Sequence, residues 1–132
     1  GFYARAWTDV MAGRGATART SVTTAIALSP LDPFLYAMQS TLGISHLIEG
    51  DYEQAAHWAE RGARAPGAHF LIGAIAAAAH QLNGDAAMTK YWVENVRKRR
   101  KDVSAEHFFT AFPFSDEKFR LKLAKALQEA GI

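Results

Sequence analysis

The sequence predicts an all-α chain, a right-handed α-α superhelix of about three helical hairpins closed by a C-terminal helical lid. Three observations carry that reading. Residues 31–67 read as one complete helix–turn–helix unit, with Gly43 inside the first helix, a Gly50-Asp51 turn, and Ala55 and Ala59 inside the second. Sliding the chain by 34 residues places Gly50 on Gly84, Asp51 on Asp85, His46 on His80, Trp58 on Trp92, Glu60 on Glu94 and Arg64 on Lys98. A period of that length with two helices per unit belongs to a stacked helical repeat. Finally, residues 69–82 are apolar almost all round, as in a helix buried on several sides.

Taken in order, residues 2–12 form a first helix with Phe2, Ala6, Trp7 and Val10 on its apolar side, broken by Gly13 and Gly15. Residues 16–29 form a second. Thr17, Thr20, Thr23 and Thr24 are mediocre helix formers, but Val22, Ala25, Ile26 and Leu28 keep helical spacing. Together they make a degenerate first repeat over residues 2–30, as expected at the end of a stack. Asp32 is the expected N-cap of the third helix and Pro33 its first residue. That helix runs to about Ile48 and stops at Gly50. Asp51 caps the fourth helix, with Gln54 placed for a capping box, and Pro66-Gly67 closes the unit 33–67. The third unit, 68–101, holds the apolar fifth helix, whose alanines let neighbours approach, the Gly84-Asp85 turn, and a sixth helix from Ala86 to about Arg100.

The tail, 104–131, breaks the period. Ser104 caps a short helix, Phe108, Phe109, Phe112 and Phe114 gather around Pro113, and Ser115 is the expected cap of a last helix striped by Leu121, Leu123, Ala124 and Leu127. Burying a phenylalanine is worth roughly 1.5–3 kcal/mol, so this segment reads as a lid over the open end of the stack.

Composition bounds the rest. A chain of 132 residues is most simply one domain. With no cysteine there is no disulfide framework or thiol chemistry, and a cytoplasmic address is the default expectation. No apolar run reaches the ~18 residues that span a bilayer. The opening at Gly1 without a methionine points to a piece of a larger protein. A net charge of +2 implies no general affinity for nucleic acid.

Leu42-Gly43, Gly50-Asp51-Tyr52, Ala55 and Pro66 resemble the tetratricopeptide consensus. His46 replaces its tyrosine, Gln39 its early aromatic, and Thr89 stands where the third unit should have alanine. Ser29-Pro30-Leu31-Asp32-Pro33, the Gly50-Asp51-Tyr52 turn and the Phe112-Pro113-Phe114-Ser115-Asp116 block with Ala130-Gly131 narrow the likeness. They are similar to the C-terminal tetratricopeptide region of bacterial nucleotidyl (adenylate or guanylate) cyclase-like proteins and of winged-helix transcriptional regulators. Those families carry catalysis or DNA binding in another domain, so the resemblance implies a protein-interaction module attached to a signalling or regulatory protein. It also implies that the first helix of each hairpin lines a concave groove. Mapped by the period, the groove residues are Tyr3, Ala6 and Val10, then Ala37, Ser40, Ile44 and Leu47, then Leu71, Ala74, Ala78 and Gln81. Such a groove is neutral and largely apolar, suited to an amphipathic helix or hydrophobic segment from the upstream domain, a second copy or another protein. The chain's own last helix could fill it instead.

Other residues invite chemistry. His46 and His80 share a repeat position, but zinc needs three or four converging ligands, and a core or hydrogen-bonding role is the plainer reading. Trp58 and Trp92 read as inter-repeat packing before partner anchors. Arg97, Lys98, Arg99, Arg100 and Lys101 could hold nucleic acid, another anion or an acidic partner, although cations also suit a helix C-terminus. A small-ligand sensor is a third, weaker reading. No phosphate loop, nucleophile elbow or paired carboxylates appear, so neither catalysis nor a cofactor or metal is expected.

Overall fold

The computed structural model describes residues 2–28 and 34–132, with the side chains of residues 2, 3 and 28 outside the description. The described residues form helices and no strand. In order these are α1 (Phe2–Met11), α2 (Gly15–Leu28), α3 (Leu35–Glu49), α4 (Tyr52–Arg64), α5 (Phe70–Leu82), α6 (Ala86–Arg99), α7 (Ala105–Ala111) and α8 (Glu117–Ala130).

One turn is used three times. Gly50 takes φ +80°, its N–H donates to Leu47 O at 3.2 Å, and Asp51 N–H donates to His46 O at 3.0 Å. Gly84 repeats this at φ +79°, with bonds of 3.2 Å to Gln81 O and 3.0 Å from Asp85 to His80 O. Gly13 does so too, at φ +81°, with 3.1 Å to Val10 O and 2.7 Å from Arg14 to Asp9 O. Left-handed backbone at a helix end closes the last carbonyls at no steric cost only for glycine. The second helix then starts two residues after each glycine, at Gly15, Tyr52 and Ala86. Gly13 lies 37 residues before Gly50, not 34, so the first unit carries the same turn in a shifted register.

Close approach fixes the pairing. A Cβ added at Gly43 would lie 2.9 Å from Ala59 N, and one added at Gly62 would lie 2.9 Å from Tyr36 O. As the position on α3 falls from 43 to 36, its neighbour on α4 rises from 59 to 62, so the two helices run antiparallel. Gly15 meets Ser45 O in the same way, at 2.6 Å, where α2 passes α3. Consecutive helices from α1 to α6 pack on one another, and α1, α3 and α5 also touch directly, so the first helices of the hairpins form a row. Residues 71–80 of α5 are all buried, as a helix without a polar face requires.

The tail closes the row. Phe108, Phe112, Phe114, Phe119, Leu123 and Leu127 are buried. Phe108 lies 4.9 Å from Phe112, and Phe114 lies 5.1 Å from Phe119. Helix α8 starts beside α1, passes Tyr52, whose ring lies 5.0 Å from Lys122 Nζ, and ends beside α5 and α6. Here the caps differ from expectation. Asp116, not Ser115, caps α8 by accepting Phe119 N–H at 3.3 Å. Ser115 is drawn away because its N–H and Oγ both donate to Met11 O, at 2.8 and 3.0 Å, tying the tail to α1. Helix α3 begins at Leu35 with Phe34 as its N-cap, and the expected cap Asp32 and first residue Pro33 lie outside the described residues, as do Ser29, Pro30 and Leu31.

Candidate functional site

Most of the expected groove is filled by the chain itself. Val10, Ile44, Leu47, Ala74 and Ala78 are 0% exposed, and Ser40 and Leu71 are buried as well. Ala37 and Gln81 are partly exposed, and the Tyr3 side chain lies outside the description. Val10, Ile44 and Leu47 lie where α1, α3 and their neighbouring helices pack on one another, and over α5 the cover is α8, which buries its own Phe119, Leu123, Ala126 and Leu127. Gln81, at the far end, meets α8 through Glu129 at 3.4 Å.

What remains open is a pocket at the starts of α3 and α5. It has a volume of about 240 Å³ and is lined by Trp7, Tyr36, Ala37, Ser40, His69, Leu71, Ile72, Ala111 and Phe112. Four elements meet there. Trp7 comes from the middle of α1 and lies 5.6 Å from Phe112 at the end of α7. Tyr36, Ala37 and Ser40 occupy the first turns of α3. His69 caps α5, where its Nδ1 accepts Leu71 N–H at 3.2 Å. A neutral imidazole that accepts at Nδ1 carries its proton on Nε2, so this ring keeps a donor for a ligand. Ser40 Oγ donates to Tyr36 O at 2.6 Å, so its hydroxyl hydrogen is already committed. The lining is aromatic and aliphatic, with no carboxylate.

The 34-residue map recovered Ala37, Ser40 and Leu71 but missed Trp7. With the first turn 37 residues before the second, the position equivalent to Ile44 is Trp7 and that equivalent to Leu47 is Val10. The repeated turn at Gly13 was the signal that could have revealed this.

The basic run does not form one patch. Arg97 donates to Gly131 O at the end of α8 and, at 3.5 Å, to Lys101 O. Arg99 Nη2 donates to Ala68 O at 2.8 Å. Arg100 Nε donates to Asp102 Oδ1 at 2.8 Å, and its guanidinium carbon lies 5.8 Å from the Phe70 ring centroid. Lys98 and Lys101 are exposed. The run is therefore divided between holding α8 and flanking the start of α5, where Ala68 and Phe70 stand on either side of the pocket residue His69.

The remaining candidates serve the frame. Glu60 Oε1 accepts from both Trp92 Nε1 and His80 Nε2, each at 3.1 Å, and joins the second and third hairpins. Trp92 is buried, whereas Trp58 is partly exposed under Arg61 at 5.5 Å. His46 Nδ1 is buried and lies 4.0 Å from Asp51 Oδ2, beyond hydrogen-bond reach. Asp9 Oδ2, His46 Nδ1 and His80 Nδ1 are each buried without a hydrogen-bond partner, and all three residues stand four before a turn glycine. Among the described residues no group of three His, Cys, Asp or Glu is placed to hold a metal ion. Ser104 Oγ lies 3.4 Å from His107 Nδ1, but that oxygen caps α7 by accepting His107 N–H at 3.3 Å, a structural task. A wider furrow of about 460 Å³ lies between α7 and α8 and is bordered by the exposed Leu121. Among the described residues no helix is long and apolar enough to cross a membrane.

No family model, curated protein or solved structure matches the chain.

Proposed function

We propose that this chain is a tetratricopeptide-like protein-interaction module, part of a larger signalling or regulatory protein, that seats one bulky apolar side chain of a partner segment between α1, α3, α5 and α7. The observation that carries this is the pocket of about 240 Å³ walled by Trp7, Tyr36, Leu71, Ile72 and Phe112. Pockets for small organic ligands usually run to about 300–1,000 Å³, so this one suits a single side chain better than a metabolite. Buried aromatic anchors carry most of the energy of protein contacts. The repeat reading draws support from three identical turns and antiparallel hairpins stacked in sequence. Nucleic-acid binding by the basic run draws less, because Arg97 is spent on the end of α8 and the remaining cations do not continue from it as one patch. The interaction itself needs no catalytic group.

Selection of short random peptides on the protein tests this. Peptides enriched on the wild type should share an aromatic or large aliphatic anchor and lose binding to Ala37→Trp and Ala111→Trp, which fill the pocket. Enriched peptides that bind both variants undiminished would place the interaction elsewhere and end this reading.

A further inference from the structure

We propose that the pocket selects an aromatic side chain flanked by acidic residues, with Arg99 and Arg100 reading the flank. The inference rests on the interaction reading above and names its partner.

Two kinds of observation converge. The first is the wall. Trp7, Tyr36, His69 and Phe112 contribute four rings to a space of about 240 Å³. Ring edges and faces pack best against another ring, in offset or edge-to-face contact, so a planar aromatic fits better than a branched aliphatic chain.

The second is a cationic segment at the end of α6 that reaches the residues on either side of the pocket wall His69 without itself lining the pocket. Arg99 is held against Ala68 O, the residue before the pocket wall His69. Arg100 lies over Phe70, whose ring centroid is 4.5 Å from that of His69. Each guanidinium makes few bonds. Arg99 uses Nη2 on a carbonyl and Arg100 uses Nε on the exposed Asp102, leaving the rest of each planar fork for a carboxylate. Lys98 and Lys101 are exposed on the same segment, and Asp102 is its single acid between residues 97 and 102. No Asp or Glu lines the pocket. A segment entering with acidic neighbours meets complementary charge, and one with basic neighbours is repelled.

The occupant is a segment of another protein. The chain's own acid-flanked aromatic, Tyr52 between Asp51 and Glu53, starts helix α4 and stacks under Lys122, so a second copy does not present it.

Three dye-labelled synthetic peptides supply the test, each with one tryptophan, flanked by aspartates, serines or lysines. Their affinities are read by fluorescence polarisation against the wild type, Arg100→Gln, Arg99→Gln with Arg100→Gln, and Ala111→Trp. The aspartate peptide should bind about tenfold tighter than the serine peptide, and the lysine peptide most weakly, with the difference shrinking as salt rises. Arg100→Gln, which leaves the Ala68 contact alone, should remove part of that advantage and the double variant the rest, while the serine peptide binds as before. Ala111→Trp, at an exposed position, should weaken all three. Equal binding of the three peptides, lost in Ala111→Trp, overturns the charge reading and leaves the pocket standing. Aspartate-peptide binding that ignores Ala111→Trp and vanishes in the arginine variants overturns both. Failure of every peptide to bind also overturns both.

Discussion

Glu60 is the residue on which two hairpins meet. Burial pushes its carboxyl up, but hydrogen bonds from Trp92 and His80, with Arg64 nearby, outweigh this and hold it below its ordinary 4.5. A carboxyl depressed by folding adds stability that is complete above the unfolded value and is lost as pH falls through the folded one. Glu60→Ala would also leave the buried Trp92 N–H without an acceptor. It should cost about 1–3 kcal/mol at neutral pH in urea denaturation, and the difference from wild type should narrow in acid below about pH 4.5. His46 acts in a higher window. Burial first, then Arg19, lowers its ring below the ordinary 6.5, against the raising pull of Asp51 and Glu49. Protonation therefore favours the unfolded chain, and stability should decline as pH drops below about 6.5. His46→Leu removes an unpartnered buried Nδ1 and should flatten the stability profile between about pH 7 and pH 5.5. A slope unchanged from wild type would show that another group sets it. That His46 and His80 occupy equivalent positions, each four residues before a turn glycine, was legible from the period. The carboxylate that pairs with His80 sits on the preceding hairpin, and no spacing rule within one helix reaches it.

At the scale of elements, small residues were read correctly as marks of close approach, and Gly43 shows why. Its missing Cβ would sit 2.9 Å from the backbone of Ala59, which cannot rotate away. Gly43→Ala should overpack the α3–α4 contact and cost about 1–3 kcal/mol, seen as a lower midpoint in thermal unfolding monitored by circular dichroism. A midpoint equal to that of wild type would mean the hairpin opens freely. Helix bounds were legible to within a residue or two because glycine, proline and capping aspartates punctuate them. The cap of α8 was not, because Ser115 precedes Asp116 and both can cap. The choice is made by Met11, 104 residues away. In the first unit, periodicity failed for a related reason. The extra length lies between Gly13 and Gly50, and few side-chain identities survive to show the shifted register.

At the scale of the molecule, the tail does two jobs. It covers the row of first helices, and with Ala111 and Phe112 it builds one wall of the pocket. Phe108, 1% exposed, sits at the centre of its aromatic cluster. Phe108→Ala should cost about 3–5 kcal/mol, a large share of the ~5–15 kcal/mol that holds a typical domain. Deleting residues 104–132 should uncover the apolar face of α5 on which α8 packs and produce aggregation in sedimentation analysis. A monomeric truncation as stable as the whole chain would contradict the lid. The sequence showed a face that must be covered and an aromatic tail able to cover it. It could not show that the covering stops short of Ala37, because that depends on where the tail crosses.

The proposed docking corner between α1, α3, α5 and α7 should accept a free apolar group before any other surface does. Indole is a small probe of it. In ¹H–¹⁵N spectra of the protein titrated with indole, shifts should concentrate at the Trp7 side-chain N–H and the amides of Ala37, Ser40, Leu71, Ile72 and Phe112, and disappear in Ala111→Trp. Shifts centred on the α7–α8 furrow around Leu121, or spread evenly over the surface, would contradict it.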